Sequence, residues 1–409
     1  MSNTLTYAYK GRDTEGKLVK GKLDAPSEAA VVGRMRTLGL TPVEITQSVG
    51  GGGLQMEISF GALEKKVTLK DLAVMSRQLA TMVAAGLSLL KSLTILSEQT
   101  ENKKLAKTLE LVRHQVEAGS SLSEALARYG RIFPPIMMHL VRAGETGGFL
   151  EGSLESIATT FEADVKLRQT IKSALTYPVV VLILALVSVV GMLVFIVPIF
   201  KKMFSDLGSE LPLPTQILVV ISENMLWIAP LLIVSIIVFA WWWSRHKYDE
   251  NVRAKVDPLR LKLPVFGNLF RKVAIARFSR NFATMTHAGV PILQTLAIVG
   301  ETSGNYVIER ALRKVQDSVR SGRSISGPLS EEPVFPSMVV QMISVGEDAG
   351  SLETMLNKIG EFYEEEVQTT TEQLTSLIEP LMIAVIGIII GAMIVALYMP
   401  IFTIFQHVH

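Results

Sequence analysis

A nine-residue stretch rich in glycine and carboxylate occurs twice in the chain. Residues 143–151 read A-G-E-T-G-G-F-L-E, and residues 345–353 read V-G-E-D-A-G-S-L-E. Glycine loops ahead of a helix can cradle a phosphate on free backbone N–H groups. Here no strand pattern precedes either copy, no G-K-[ST] follows, and Glu145 and Glu347 would repel an anion. The pattern instead predicts a tight corner between two helices. Gly144, Gly148, Gly346 and Gly350 would supply positive φ there. Glu145, Glu151, Glu347 and Glu353 would lie near a helix N-terminus or on a surface that meets a partner.

Other chemistry-bearing residues point nowhere in particular. The chain has no cysteine, which removes disulfides, thiol catalysis and cysteine zinc sites. His114, His139, His246, His287, His407 and His409 show no H-E-x-x-H or similar ligand spacing. No G-x-S-x-G, phosphate-loop or dinucleotide fingerprint occurs. The expectation is a protein that is not an enzyme and that carries no cofactor or metal.

The elements around the corners are duplicated as well. Gly144 maps to Gly346 at an offset of 202, as do Phe133-Pro134 to Phe335-Pro336, Pro178 to Pro380, and Pro198-Ile199-Phe200 to Pro400-Ile401-Phe402. Upstream the offset is 203, from Ala85-Gly86 to Ala288-Gly289 and from Gly119 to Gly322. One residue is gained or lost between Gly119 and Phe133. A fixed offset over such a length is a duplication, and its period governs the fold.

In chain order, residues 1–49 read as a small α+β unit. Leu5–Tyr9 and Leu18–Leu23 are strands about a turn at Asp13–Gly16, Ser27 caps a helix to Leu38 ahead of Gly39, and Thr41–Ile45 is a third strand. Residues 50–61 are a Gly-rich linker that opens with Gly50–Gly53. Residues 62–173 read as a bundle of six helices with short connections. Within it Ser121-Leu122-Ser123-Glu124 reads as a capping box, and Pro134-Pro135 open a helix. The last helix of this bundle runs from about Phe149 without a breaker to Pro178. Residues 244–379 hold a basic segment and, from about Arg271, the second bundle.

Of the 409 residues 49% are hydrophobic, and the mean hydropathy of +0.36 is high for a water-soluble chain. The apolar residues concentrate in three uncharged runs, 174–200, 225–243 and 380–405. About 20 apolar residues cross a bilayer, so each run predicts a transmembrane helix. Trp241-Trp242-Trp243 close the second run as an interfacial aromatic belt. The fold class is an all-α polytopic membrane protein, with two duplicated six-helix bundles and a small N-terminal α+β unit. Residues 201–224, with Pro212 and Pro214, read as an external connection, and 406–409 as an external tail. No apolar signal-peptide core is seen in the first 20 residues.

Three surfaces remain. Residues 245–280 hold ten Lys and Arg against three acids, and their place beside a span predicts contact with anionic lipid rather than nucleic acid. A net charge of +2 gives no general pull on nucleic acid. Glu361, Glu364, Glu365 and Glu366 form either a solvated face or a docking site for a basic partner. Gly387 and Gly391 make a G-x-x-x-G on one face of the third span, expected to pack against another span of this chain or of a second copy.

Two helical repeats with F-P, then G-E-x-x-G-x-L-E, then an uncharged span ending P-I-F resemble the type II secretion protein F and type IV pilus PilC platform family. The opening Y-A-Y-K-G-R-D-T-E-G-K at 7–17 is similar to its pilus members. The resemblance covers nearly the whole chain. Repeat two departs where Thr146-Gly147 becomes Asp348-Ala349 and Tyr177 becomes Glu379. The resemblance implies a multi-pass platform in the bacterial inner membrane. Its partners would be a cytosolic hexameric ATPase, pilin or pseudopilin subunits, other inner-membrane assembly proteins and further copies of itself. A secondary transporter also shows repeats, but these spans hold no Asp, Glu, Lys, Arg or His and three spans are few. A signalling scaffold would need a sensing domain larger than 201–224.

Charge sets an expected orientation. Lys166, Arg168 and Lys172 precede the first span and Arg245 and Lys247 follow the second, while Lys201 and Lys202 alone flank the connection. Both bundles and the N-terminus then face the cytosol, and the C-terminus lies outside. Because the chain lacks cysteine, single cysteines at Ser205 and Val408 should react with an impermeant thiol reagent in intact cells, and one at Ser121 should not. Reaction at position 121 in sealed cells reverses the assignment.

Overall fold

A computed structural model of the chain describes residues 5–12, 18–25, 27–37, 41–47, 65–206, 211–247 and 249–407. It divides into two compact units, Met1–Glu64 and Lys65–His409. In the smaller unit β1 (Leu5–Arg12), β2 (Leu18–Ala25) and β3 (Thr41–Gln47) form an antiparallel sheet of order β2-β1-β3. Helix α1 (Glu28–Thr37) lies between β2 and β3 in sequence. The Ala30 N–H reaches the Ser27 hydroxyl at 3.4 Å, so serine caps the first turn. Val31 and Met35, one turn apart, bury against Tyr7 and Ala25. The expected turn at Asp13–Gly16, Gly39 and the linker at Gly50–Gly53 lie outside the described residues.

The larger unit opens with α2 (Leu69–Ala84), α3 (Leu89–Gln99), α4 (Lys103–Glu117), α5 (Leu122–Ala127), α6 (Pro135–Gly147) and α7 (Leu150–Gly191). Local chemistry starts each helix. Ser88, Asn102 and Ser121 accept first-turn N–H groups, Pro134 and Pro135 open α6, and Thr68 with Asp71 forms a full capping box. The box expected at Ser121–Glu124 is only half present. Ser121 Oγ accepts from the Glu124 N–H at 3.2 Å, while other N–H groups of that turn go to a distant carboxylate.

The second bundle repeats the plan with α11 (Phe266–His287), α12 (Ile292–Thr302), α13 (Tyr306–Arg320), α14 (Ser326–Ser330), α15 (Ser337–Asp348) and α16 (Leu352–His407), preceded by α10 (Glu250–Lys262). It begins five residues earlier than Arg271, because the buried Leu269 extends the apolar face of α11 toward its N-terminus. The two bundles share one core. Phe133, Leu140, Leu154 and Ile157 of the first belong to the same buried cluster as Phe278, Phe282, Leu312 and Ile359 of the second. Polar contacts cross the joint as well. The Thr160 and Thr284 hydroxyls lie 3.0 Å apart, and Arg277 meets Asp164 at 2.7 Å.

The final helix of each bundle continues into a membrane span. Helix α16 holds 56 residues, about 84 Å at the α-helical rise. Pro178 and Pro380 sit inside α7 and α16 and do not end them. Residues 192–196 form a single π-helical turn, after which α8 (Val197–Asp206) continues. The second span lies within α9 (Leu213–His246). The helix begins well before residue 225, so the second half of the expected 201–224 connection is helix. Leu213 through Ser222 carry no charge, Pro214 suits a first turn, and Glu223 is neutralised by Lys201. Three helices, Leu150–Asp206, Trp227–His246 and Leu352–Pro400, contain stretches long and apolar enough to cross a membrane.

The spans meet at the end far from the bundles. Leu193 and Val197 pack there on Val219, Met393 and Leu397. The contact has a polar reason. A proline leaves the carbonyl of the preceding turn without a donor, and hydrocarbon supplies none. In α16, Pro400 frees the carbonyl four residues back, that of Ala396, and the buried Thr215 hydroxyl of α9 donates to it. In the π turn the freed carbonyl lies five residues before Pro198, at Leu193, and the buried Ser222 hydroxyl of α9 donates to that one. Thus α9 fills both gaps made by the duplicated P-I-F prolines.

This pairing predicts a non-additive mutant cycle. Thr215→Val keeps the shape, strands the Ala396 carbonyl, and should cost about 0.6–2 kcal/mol in bilayer nanodiscs. With Pro400→Ala the carbonyl regains its own helix donor, and Thr215→Val should then cost almost nothing. Equal costs in the two backgrounds, measured by thermal or denaturant unfolding, would separate Thr215 from the proline.

Candidate functional site

The two glycine–glutamate corners have the same geometry. Glu145, in the last turn of α6, accepts the Leu122 N–H at 2.5 Å and the Ser123 N–H at 3.2 Å. Glu347 of α15 accepts the Ile325 N–H at 2.8 Å, the Ser326 N–H at 3.2 Å and the Ser326 hydroxyl at 3.1 Å. Each carboxylate therefore caps the short helix upstream, α5 or α14, and not the long helix that follows. Two backbone donors and the positive end of a short helix meet each carboxylate. Leu122 and Ile325 are related by an offset of 203, Glu145 and Glu347 by 202. Leu126 and Leu329, both buried, still match at 203, so the length difference falls between Leu126 and Phe133.

The glycines divide their work. Gly148 and Gly350 have φ of +73° and +63°, the left-handed turn expected of them. Gly144 and Gly346 are helical and serve close approach instead. A Cβ on Gly144 would stand 2.5 Å from Ser153 Oγ and 2.9 Å from Leu150 Cα. On Gly346 it would stand 2.9 Å from Met355 Cγ and 3.0 Å from Leu352 Cα. The helix before each corner thus lies against the first turn of the helix after it. The fourth residues differ: Glu151 is exposed, whereas Glu353 meets His287 Nδ1 at 2.9 Å.

A second duplicated pair was not anticipated. Arg77 of α2 holds Glu162 of α7 through two hydrogen bonds of 2.7 Å and also binds Glu155. Arg280 of α11 holds Glu364 of α16 at 2.8 and 3.0 Å. The arginines are separated by 203 and the glutamates by 202, so the repeat offsets alone could have found them. The Arg77 hydrogen bond holds the Glu162 carboxyl below the usual carboxylate range. Arg280 and Glu364 also line a cleft of about 270 Å³ between the bundles, with Asp164, Arg168, Arg277 and Glu301. Burial lowers the affinity of the Arg277 guanidinium for its proton, and Asp164 opposes that shift.

Other sequence candidates are redistributed by the structure. Of the acidic run, Glu364 and Glu366 are taken by Arg280 and Lys272, and Glu361 by Lys358. The run is a clamp onto α11 more than an open docking face. In the basic segment, Arg253 meets Glu309, Arg271 meets the Pro333 and Val334 carbonyls, and Arg277 meets Asp164. Gly387 and Gly391 have nothing within 4 Å of an added Cβ, so they do not pack against another span of this chain. The spans meet farther along, where the proline-freed carbonyls need α9. Among the described residues no group of three or more His, Asp or Glu is placed to hold a metal ion.

The arrangement fixes helices to one another at matching points in two bundles. Glu145→Ala or Glu347→Ala should therefore each lower stability by about 0.5–2 kcal/mol in the intact protein, as loss of a helix cap does. Glu151→Ala, on an exposed side chain, should change it little. An unchanged melting temperature for the Glu145 variant, with binding of a partner abolished, would assign that carboxylate to an interface instead.

The duplicated geometry agrees with comparisons to known proteins. The family model for type II secretion system protein F matches twice, at residues 75–198 and 278–400. The model for that protein's N-terminal domain matches residues 1–46. The chain is 42% identical to type IV pilus assembly protein PilC of Thermus thermophilus, over 97% of this chain and 98% of the relative. It is 38% identical to type IV pilus assembly protein PilC of Myxococcus xanthus, over 98% and 95%. It is 30% identical to type II secretion system protein F of Xanthomonas campestris, over 97% and 98%. Each match of the family model takes in one corner, one arginine–glutamate clamp and one span as far as the proline of its P-I-F, and with them the chain belongs to the type II secretion system protein F family.

Proposed function

We propose that this inner-membrane protein is a platform of a type IV pilus assembly machine, coupling a cytosolic hexameric ATPase to insertion or extraction of pilin subunits. The observation that carries the reading is mechanical. One helix of each bundle runs unbroken into the bilayer, and the two bundles share a core. A force applied to either bundle would move both spans, because a continuous helix has no hinge at which to lose the motion. The pilus reading is supported by the 42% and 38% identities to pilus assembly proteins against 30% to a secretion protein. In this reading the bundles face the cytosol, the C-terminus lies outside, and the protein performs no reaction of its own.

Two glycines inserted between Lys172 and Ser173 would introduce flexible backbone where α7 leaves the bundle. The variant should still co-purify with the cognate ATPase and should assemble no surface pili. Full piliation would show that α7 is not a lever. Failure of the unaltered protein to hold the ATPase would remove the coupling itself.

A further inference from the structure

The corner between α10 and α11 lies at the level of the membrane surface, on two separate grounds. Leu269, with Phe266, packs on Leu167 and Ile171 of α7 and on Val367 and Leu374 of α16. Ile171 is three residues, about 4.5 Å, before the uncharged run that starts at Ala174. From there α11 runs away from the membrane, since its later residues Arg280 and His287 meet Glu364 and Glu353. The second ground is Trp243 in the interfacial belt of α9. The Arg260 guanidinium of α10 stands 5.3 Å from the centre of its ring.

This corner exposes apolar residues without a protein neighbour to cover them. Leu259 is 64% exposed and Val265 is 55% exposed, with Leu263 and Phe270 beside them. Val265 is the one non-glycine residue with positive φ among those described, at 71°. Such a backbone is strained for a β-branched residue, and glycine would adopt it freely. Packing inside the protein does not compensate for the strain, because the side chain points outward.

Charge completes the surface. Much of the basic segment is spent internally, on Asp257, Glu309, Glu364, Glu366 and Asp164. Lys255 and Lys262 are exposed and form no ion pair among the described residues. They share one stripe of α10 with Leu259 and Leu263, while the opposite face carries the buried Asp257. Long lysine stems beside leucines, with ammonium groups at the rim, suit the boundary between acyl chains and headgroups.

We propose that the α10–α11 corner docks on the anionic surface of the bilayer. Leu259, Leu263, Val265 and Phe270 enter the headgroup layer, and Lys255 and Lys262 meet lipid phosphate. The second bundle is thereby held to the membrane directly, as well as through its spans.

The chain has no cysteine, so single probes can be placed in the full protein in nanodiscs. A polarity-sensitive fluorophore on Leu259→Cys or Val265→Cys should show blue-shifted emission in discs rich in phosphatidylglycerol. Spin-labelled lipid should quench it. The same probe on Ser321→Cys, exposed in the turn after α13, should show neither effect. In phosphatidylcholine discs, or with Lys255→Glu and Lys262→Glu together, the shift and the quenching should fall toward the Ser321 level. Emission typical of water in both lipids overturns the proposal. Equal burial in both lipids overturns its anionic part, and a blue shift without lipid quenching assigns the surface to a protein.

Discussion

Hydrocarbon offers no hydrogen-bond partner, and this single constraint organises the larger unit. A chain that passes from a bundle into a bilayer must keep its backbone paired throughout. Helices α7 and α16 do so by remaining helical across the boundary, through Pro178 and Pro380. Where the P-I-F prolines open a gap, α9 supplies the missing donors from Thr215 and Ser222. The three spans are therefore joined at their far end by need rather than by apolar attraction, which lipid would satisfy equally well. Nearer the bundles α9 stands apart, and Leu231, Ile233 and Phe239 are open to lipid.

The duplication is kept where each repeat holds itself together. Both corners cap a short helix with a carboxylate, and both bundles clamp their first helix to their last with arginine and glutamate. It is abandoned where the repeats face each other. Asp164 of α7 meets Arg277 of α11, and the residues at the corresponding repeat positions, Glu366 and Val74, cannot make the same pair. Two identical halves would have a symmetric joint. These halves have one defined joint with a shared core.

The same economy governs charge. A chain with nearly equal numbers of acids and bases could present mixed surfaces everywhere. Instead the acids of α16 and the bases of α11 face each other, and Asp257 gathers Arg253 and Arg260 while accepting the Tyr306 N–H at 2.9 Å. Pairing of partly buried charges leaves few of them to meet outside partners. A charge count along a segment overstates its free charge for this reason.

The three spans, the duplication and the helical class were legible in the sequence, because each rests on a property of consecutive residues. Uncharged runs of bilayer length, a constant offset and cap residues at helix starts need no knowledge of distant contacts. The Gly148 and Gly350 turns were legible for the same local reason. The role of Gly144 was not, since the atoms that exclude a side chain there belong to Leu150 and Ser153 of the next helix. Nor was the target of Glu145, whose donors lie more than twenty residues upstream. That α9 starts at Leu213, ahead of the uncharged run at 225–243, was not legible, because only tertiary structure brings Lys201 to Glu223. Gly387 and Gly391 carry a packing motif that the fold leaves unused within the chain, because the spans are drawn together where prolines leave carbonyls bare. Local periodicity decided what each segment is, and the pairing of distant polar groups decided where it goes.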